Sequence, residues 1–288
     1  MAAGTPKFTL YTSEASQWAM VPQLGLVEKG YLPHEFEAKE VDLLEAGNFD
    51  IDYLKVNNNG TIPALTAPVL DTPLMQSTDI LEYLDRAHPE SDISLAPEDD
   101  TTKQTVQRLL ELVHSMVLDS NLILLAARDP DEMEKVKGNF HGFITTRQRV
   151  LEENRARYPD HPFYGPKAED NGKLHHLYVT PIGAEHEQFF RSTHEAYQKF
   201  ATAFKELEST LVLPYAAGGK VTYADLHIVP WLSHVLCFAG AEDFNDFGKL
   251  EARVRKSDPG FAIGPNVRQW WRNMQRRESF QKVFPVLH

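Results

Sequence analysis

The chain of 288 residues carries 41 acidic and 29 basic side chains, which gives a formal charge of −12 at pH 7. A net negative field repels polyanions, so DNA and RNA are not expected partners. The sequence lacks the uninterrupted apolar run of about 18 residues that a membrane span needs. Its single cysteine, Cys237, excludes an intrachain disulfide and a cysteine-based zinc site. We expect a globular protein of the cytoplasm, since the N-terminal residues do not resemble a signal peptide.

Residues 1–90 predict a small α/β domain. The predicted elements are, in chain order, a strand over 7–12, a helix over Trp18–Lys29 that stops at Gly30, a strand over His34–Val41, a short helix over Asp50–Val56, a β-hairpin around Asp71-Thr72 and a helix over Ser77–Arg86. Alternating β-branched and aromatic residues favour the strands, and apolar residues at intervals of three and four favour the helices. Ser77 is a residue type that often caps a helix N-terminus.

A composition change near Pro89–Pro97 marks a linker over 91–97. Beyond it the pattern is helical, and we predict an all-α domain over 98–288. Apolar stripes with helical spacing lie over Val106–Val117, Phe189–Leu211, Thr222–Leu236 and Asn266–Gln275. An insertion around 158–185 mixes helix breakers with aromatic residues and histidines, which predicts a long loop, either functional or disordered. The adjacent His175 and His176 do not readily converge on one ion, so we expect no metal site.

Pro63 interrupts what otherwise reads as a strand, in the run NNNGTIPAL at residues 57–65. Proline lacks the N–H that a central strand needs. A cis Ile62–Pro63 bond would turn the chain sharply and leave the N–H and C=O of Ile62 free for an extended peptide. A trans proline on an edge strand explains the same residues, and the sequence pattern leaves both open.

The helix that follows starts with groups that suit a carboxylate. Helix N-termini present free N–H groups and a partial positive charge. Gln76 adds an amide and Ser77 adds a hydroxyl at this point. Ser77 could also simply cap its helix, and the two roles are compatible.

Three motifs together resemble the glutathione S-transferase family. The run Asn57–Leu65 resembles the family's N-P-x-G-x-V-P-x-L motif, although Asn58 replaces its proline. The pair Gln76-Ser77 is similar to the one that holds the γ-glutamyl carboxylate of glutathione, and Thr222–Asp225 resembles the family's S/T-x-x-D capping box. The C-terminal residues 270–283 are similar to the family's ending as well.

This resemblance implies an α/β thioredoxin-like N-terminal domain, an all-α C-terminal domain, a homodimer, and glutathione as the co-substrate. The implied glutathione-binding residues are Ile62, Pro63, Gln76, Ser77 and Lys55. The Ile62 backbone would hold the cysteinyl part of glutathione. The chain is long for the family, and the excess between Thr101 and Thr210 predicts a bulky or unusual second substrate.

Family members lower the thiol pKa of glutathione with one hydroxyl near the start of the first helix. A free thiol has a pKa of about 8.5, and a hydrogen bond to the thiolate lowers that value. Three hydroxyls compete for this role here. Ser16 falls where the catalytic serine lies in the zeta-type pattern Y-x-x-x-x-S-S-C, Tyr11 lies where tyrosine-type members keep theirs, and Ser13 is intermediate.

The expected reaction is attack of the thiolate on a hydrophobic or conjugated electrophile. The product is either an S-conjugate or, after reversible addition, a cis-trans isomer, as in zeta-type enzymes. A fungal-type member in secondary metabolism fits both the serine-type site and the enlarged helical domain. The alternative is a non-catalytic relative that binds glutathione as a regulatory or scaffolding module. A disulfide reductase is disfavoured because no cysteine precedes Cys237.

Overall fold

The computed structural model describes residues 6–287 of the chain. The strands are β1 (Phe8–Thr12), β2 (Phe36–Glu40) and β3 (Ala64–Thr66). The helices are α1 (Gln17–Lys29), α2 (Ile51–Leu54), α3 (Ser77–Ala87), α4 (Asp100–Val113), α5 (Asn121–Leu125), α6 (Pro130–Arg157), α7 (Tyr164–Val179), α8 (Ala184–Thr210), α9 (Tyr223–Phe238), α10 (Phe247–Arg255), α11 (Pro265–Gln275) and α12 (Glu278–Val283). A small mixed sheet with its helices is thus followed by an all-helical region, as predicted. No helix within residues 6–287 is long and apolar enough to cross a membrane.

The sheet has the order β2-β1-β3, with β1 parallel to β2 and antiparallel to β3. The parallel pair is joined through α1, because parallel neighbours need a crossover connection. Phe8 and Leu10 of the central strand are buried. The predicted hairpin around Asp71-Thr72 is wrong in detail, since its only ladder contact is a single bridge between Leu65 and Leu74. Turn residues on both sides leave too little extended chain for a fourth strand.

Helix α1 begins and ends where its sequence indicates. Ser16 is the N-cap, with extended backbone and a side-chain oxygen that accepts from the Ala19 N–H at 3.4 Å. Gly30 follows the last turn at φ 77°, and its N–H reaches the carbonyls of Leu26 and Val27. Glycine adopts this left-handed conformation at little steric cost, and it closes the helix by satisfying end carbonyls.

One buried carboxylate, that of Asp85 in α3, ties the two domains and the linker together. It accepts from the Lys29 ammonium at 2.8 Å, from the Leu95 N–H at 3.1 Å and from the Tyr223 hydroxyl at 3.0 Å. These partners belong to α1, to the linker and to α9. The orientation of the helical domain on the α/β domain is therefore set by directional bonds as well as by apolar packing.

The predicted capping box is present at the start of α9. Asp225 is fully buried and accepts from the Thr222 N–H at 2.8 Å, the Ala216 N–H at 2.7 Å and the Trp270 indole N–H at 2.8 Å. The Thr222 hydroxyl donates to it as well, at 3.1 Å. Burial raises the pKa of Asp225 to about 6, while these four donors favour the charged form.

The predicted long loop around 158–185 is wrong, because residues 164–179 form α7. Pro166 lies in the first turn, where a missing N–H costs nothing, so this helix breaker is harmless there. Gly172 packs opposite Gln148 of α6. Helices α6 and α7 pair as an antiparallel unit, which we call the α6–α7 hairpin (residues 130–179).

Two smaller expectations also need correction. The apolar stripe over Val106–Val117 is only partly buried, because α4 ends at Val113 and the Met116 side chain is 85% exposed. Ser77 is the first residue of α3 and not its N-cap, which is Gln76.

Candidate active site

The loop over residues 57–63 is fixed by side chains that bond to its carbonyls. The Ile62–Pro63 bond is cis, which decides between the two alternatives left by the sequence. The Tyr53 hydroxyl and the Asn57 amide donate to the Thr61 carbonyl at 2.6 and 2.7 Å. Gly60, at φ 59°, allows the turn that leads into this segment. The loop is therefore shaped before any ligand binds.

The backbone of Ile62 is only partly free. Its carbonyl pairs with no neighbouring strand, as predicted, but it accepts from the Ser16 hydroxyl at 3.2 Å, so the predicted docking edge is partly occupied at the C=O. Its N–H meets no acceptor within residues 6–287. The sequence did not predict this bond, because Ser16 and Ile62 are 46 positions apart in the chain. The result is a free backbone donor with a serine hydroxyl beside it.

The three candidate hydroxyls differ in their relation to Ile62. Ser16 contacts its carbonyl directly and sits at the N-terminus of α1, where helix N–H groups favour negative charge. Ser13 is buried and accepts at its carbonyl from the Ser16 N–H at 3.1 Å. Tyr11 lies in β1, where its half-buried ring meets Tyr53 edge-on at 5.8 Å. Of the three, Ser16 is the hydroxyl that is hydrogen-bonded to Ile62.

The start of α3 keeps unused polar groups. Gln76 is exposed, and its side chain makes no hydrogen bond to another residue of 6–287. Ser77 is buried, and its hydroxyl likewise has no partner in the described part of the chain. The first-turn N–H groups of the helix lie at the same point. These groups can receive a carboxylate.

Lys55 does not join this group. Its ammonium pairs with Asp52 at 2.5 Å, and its side chain is 71% exposed. The structure shows no contact from Lys55 to Ile62 or Ser77. Its expected part in glutathione binding remains a prediction.

Sequence reasoning missed a cluster of three aromatic rings that includes Trp18, two residues after Ser16. The indole of Trp18 stacks on His114 at a centroid distance of 4.1 Å, and His114 meets His227 at 5.1 Å. Trp18 is on α1, His114 follows α4, and His227 is on α9, so the cluster lies where the two domains meet. The available signal was an indole only two residues beyond the expected catalytic serine.

The histidines of this cluster are neutral at pH 7. Burial lowers the pKa of His227 to about 3, and nearby His114 lowers it further. Its Nδ1–H donates to the Tyr223 carbonyl at 2.7 Å, which makes Nε2 the unprotonated nitrogen. That Nε2 is buried and has no hydrogen-bond partner among the described residues. Burial also lowers the pKa of His114.

The tip of the α6–α7 hairpin covers one side of the loop over 57–63. The Phe163 ring lies so close to Gly60 that a Cβ on this glycine would meet a ring carbon at 2.5 Å. The Tyr164 hydroxyl donates to the Phe49 carbonyl at 2.9 Å, and the rings of Phe49 and Phe163 lie 5.6 Å apart. Asn48, next to Phe49, donates to the Gly60 carbonyl at 2.6 Å. The hairpin is thus part of the wall behind the candidate site.

Two family models match the chain in order. The model described as "Glutathione S-transferase, N-terminal domain" matches residues 10–92, and "Glutathione S-transferase, C-terminal domain" matches residues 173–278. The intervening residues 93–172, which include most of the α6–α7 hairpin, lie outside both matches. Glutathione S-transferase Z1 from Arabidopsis thaliana is 35% identical over 88 residues. That match spans 31% of this chain and only 38% of the relative's own length.

Solved structures with low identity share the fold along the whole chain. Beta-etherase LigF from Sphingobium has a TM-score of 0.62 at 17% identity, covering 97% of this chain and 99% of its own. A glutathione transferase homologue from sulfitobacter, solved with bound glutathione, has a TM-score of 0.58 at 17% identity and covers 97% of both chains. Human glutathione-S-transferase T1-1 also gives a TM-score of 0.58 at 17% identity, covering 96% and 88%. With both terminal matches in order on this fold, the chain belongs to the glutathione S-transferase family, whose members use glutathione as a co-substrate.

Proposed function

We propose that this protein is a glutathione-dependent transferase that directs the glutathione thiol to a hydrophobic electrophile. The observation that carries the proposal is the Ser16 hydroxyl, 3.2 Å from the Ile62 carbonyl and beside the unpaired Ile62 N–H. An extended peptide can accept from that N–H, which fits the cysteinyl part of glutathione. Gln76, Ser77 and the first turn of α3 would receive the γ-glutamyl carboxylate. The shaped cis-proline loop supports this binding mode.

Ser16 would activate the thiol by exchanging one acceptor for another. Its single hydroxyl proton is donated to the Ile62 carbonyl when no ligand is present. A thiolate placed beside it is a stronger acceptor, because it is charged. Rotation of the hydroxyl toward sulfur would stabilise the thiolate and lower the thiol pKa from its usual value of about 8.5. The N-terminus of α1 adds to this effect.

The stacked Trp18 and His114 support a flat, hydrophobic second substrate. His114 is an exposed residue whose ring stacks on Trp18, and the desolvation of that ring lowers its pKa, so it offers a ring face and no fixed charge. The exposed Met116 follows two residues later, at the edge of a cavity of about 540 Å³ between α5, α7 and α8. An apolar electrophile would be desolvated along this side. A homodimer, a cytoplasmic location and a role in fungal secondary metabolism stay predictions from the resemblance.

The test is a thiol-conjugation assay with an aryl halide electrophile, together with ultraviolet titration of the bound thiol. We expect Ser16→Ala to lower kcat by about 100-fold, as for loss of one donor to a developing anion, and to return the thiol pKa toward about 8.5. Ser13→Ala serves as the matched control and leaves both nearly unchanged. Unaltered turnover in Ser16→Ala would refute the role of this serine. Binding of glutathione without turnover in the native chain would favour the scaffolding alternative.

A conjugated substrate separates the two reaction types. In conjugation, one glutathione is consumed for each product. In isomerisation by reversible addition, glutathione is recovered and a catalytic amount is enough. Measuring residual thiol at completion decides between them.

A further inference from the structure

Two basic side chains of the α6–α7 hairpin face each other without an acidic partner. The Gln148 amide donates to the Ala168 carbonyl at 3.3 Å, which brings Arg147 of α6 and Lys167 of α7 onto facing turns. The Arg147 guanidinium lies over the Phe49 ring at 4.3 Å and over the Phe143 ring at 5.1 Å. The guanidinium therefore packs on two aromatic rings, while its N–H edge is left for an acceptor.

Two acids of the same helices are paired with other cations, although the charge of Asp170 still favours the charged form of Lys167. Glu153 pairs with Arg149 at 3.0 Å, and Asp170 pairs with Lys173 at 2.7 Å. In residues 6–287, the side chains of Arg147 and Lys167 make neither an ion pair nor a hydrogen bond. The chain has 41 acidic and 29 basic residues, so the absence of an ion pair at Arg147 and Lys167 does not result from a lack of acidic side chains.

Partial burial disfavours the charged form of both side chains. Burial lowers the pKa of Arg147 to about 10. Burial also lowers the pKa of Lys167. The charge of Arg147 lowers that pKa further, and the charge of Asp170 partly offsets this. Desolvated charges persist in proteins when a counter-charge meets them. Two cations that repel each other, in a chain of net charge −12, point to an anion that is supplied from outside.

The pair also lies next to the candidate active site. Phe49, under the Arg147 guanidinium, contacts Phe163 at 5.6 Å, and Phe163 covers Gly60 of the loop over 57–63. We propose that Arg147 and Lys167 form a binding site for an oxyanion, the carboxylate or phosphate group of a small ligand. Arg147 binds two of its oxygens through the guanidinium edge, and Lys167 adds a third contact. Only the identification of the anion with a group on glutathione rests on the proposed function.

The first experiment uses inorganic phosphate as the probe, with chloride holding the ionic strength constant. We expect phosphate to raise the Tm of the native protein, and Arg147→Met and Lys167→Met to lower phosphate affinity at least fivefold. Methionine keeps the packing between the rings, and each variant is first checked by circular dichroism. Arg149→Met and Lys173→Met are matched controls, since each removes a paired cation from the same two helices. Equal phosphate affinity in all five proteins, or equal losses in the control variants, overturns the proposal.

The second experiment identifies the source of the anion. Glutathione and its glycyl ethyl ester are titrated into the native protein and Arg147→Met. Weaker binding of glutathione, but not of the ester, in Arg147→Met assigns the anion to the glycyl carboxylate. Unchanged glutathione binding with lost phosphate binding assigns the site to a separate anion. If no variant binds glutathione, the proposed function fails while the phosphate result still decides this inference.

Discussion

The start of α9 and the body of the α6–α7 hairpin each remove a charged side chain from water, fully for Asp225 and partly for Arg147, and they do so in opposite ways. Asp225 at the start of α9 accepts from four donors of three residues, Ala216, Thr222 and Trp270. Arg147 in the hairpin meets two aromatic faces and no acceptor among residues 6–287. The Asp225 carboxylate has hydrogen-bond donors from the chain itself, whereas the Arg147 guanidinium has no acceptor among the described residues.

This difference separates a structural charge from a binding one. Burying a charge costs several kcal/mol unless hydrogen bonds and counter-charges offset it. At Asp225, hydrogen bonds from the chain itself offset the cost of burial. The carboxylate therefore joins the 212–225 segment to α11 whether or not a ligand is present. Arg147 is only partly buried, and under the anion-site proposal its counter-charge arrives with a ligand. Changes in stability therefore test the first region, and changes in ligand affinity test the second.

The largest effect is expected for Asp225→Ala. This change leaves the indole N–H of Trp270 and two backbone N–H groups buried without an acceptor, which costs about 3–5 kcal/mol of unfolding free energy. Urea denaturation followed by circular dichroism measures the loss. Asp71→Ala is the control, because Asp71 is exposed, and its change should stay within about 0.5 kcal/mol. Similar losses for the two variants would mean that the carboxylate network does not hold this region.

A smaller effect on stability is expected from protonation of His227, a buried residue of α9 that is neutral in the folded state. Its folded pKa of about 3 lies below the unfolded value of about 6.5, so the unfolded chain binds more protons between these values. The stability that His227 contributes is complete above about pH 6.5 and decreases as pH falls, by about 2 kcal/mol at pH 5.

The variant His227→Asn isolates this contribution, since its amide can still donate to the Tyr223 carbonyl. We expect the native protein to lose about 2 kcal/mol more than the variant when the pH falls from 7.5 to 5. Parallel urea titrations at the two pH values give the difference. The same pH dependence in both proteins would show that His227 takes up its proton in the folded state.

The smallest effect tests the apolar contact at the hairpin tip. Gly60 and Gly30 both have positive φ, but only Gly60 has a neighbour where a Cβ would lie. Alanine is strained at either position, and at Gly60 it also meets the Phe163 ring, which adds about 1–2 kcal/mol. Thermal unfolding of Gly60→Ala and Gly30→Ala gives the difference. Adding Phe163→Ala to Gly60→Ala should reduce the strain. Equal losses of stability in Gly60→Ala and Gly30→Ala would show that the hairpin tip does not contact the loop over 57–63.

Local rules account for the parts of the fold that the sequence predicts well. The stop of α1 at Gly30, the capping box at Thr222–Asp225 and the turn before Pro63 each depend on residues within a few positions of one another. Because such signals use short-range geometry, they can be read without the tertiary fold. The family motifs lie in the same segments, so Ile62, Pro63, Gln76 and Ser77 are predicted as glutathione-binding residues from short-range patterns as well.

Long-range contacts account for the parts that could not be predicted. The bond between Ser16 and Ile62 spans 46 residues, and the bond between Tyr164 and Phe49 spans 115. The breakers near Pro166 predicted a loop because their position within a first helical turn is invisible until the helix is known. The Trp18–His114 stack likewise needs the docking of two domains.

The Asp85 carboxylate has a consequence for how the molecule comes apart. The linker over 91–97, whose composition marks a domain boundary, is bonded to this carboxylate through Leu95 and to Lys29 through the Ile93 carbonyl. Unfolding either domain alone would leave Asp85 or Tyr223 with a lost partner, in addition to the apolar surface exposed between α1 and α9. We therefore expect the two domains to unfold together, although the linker marks a boundary between their folds.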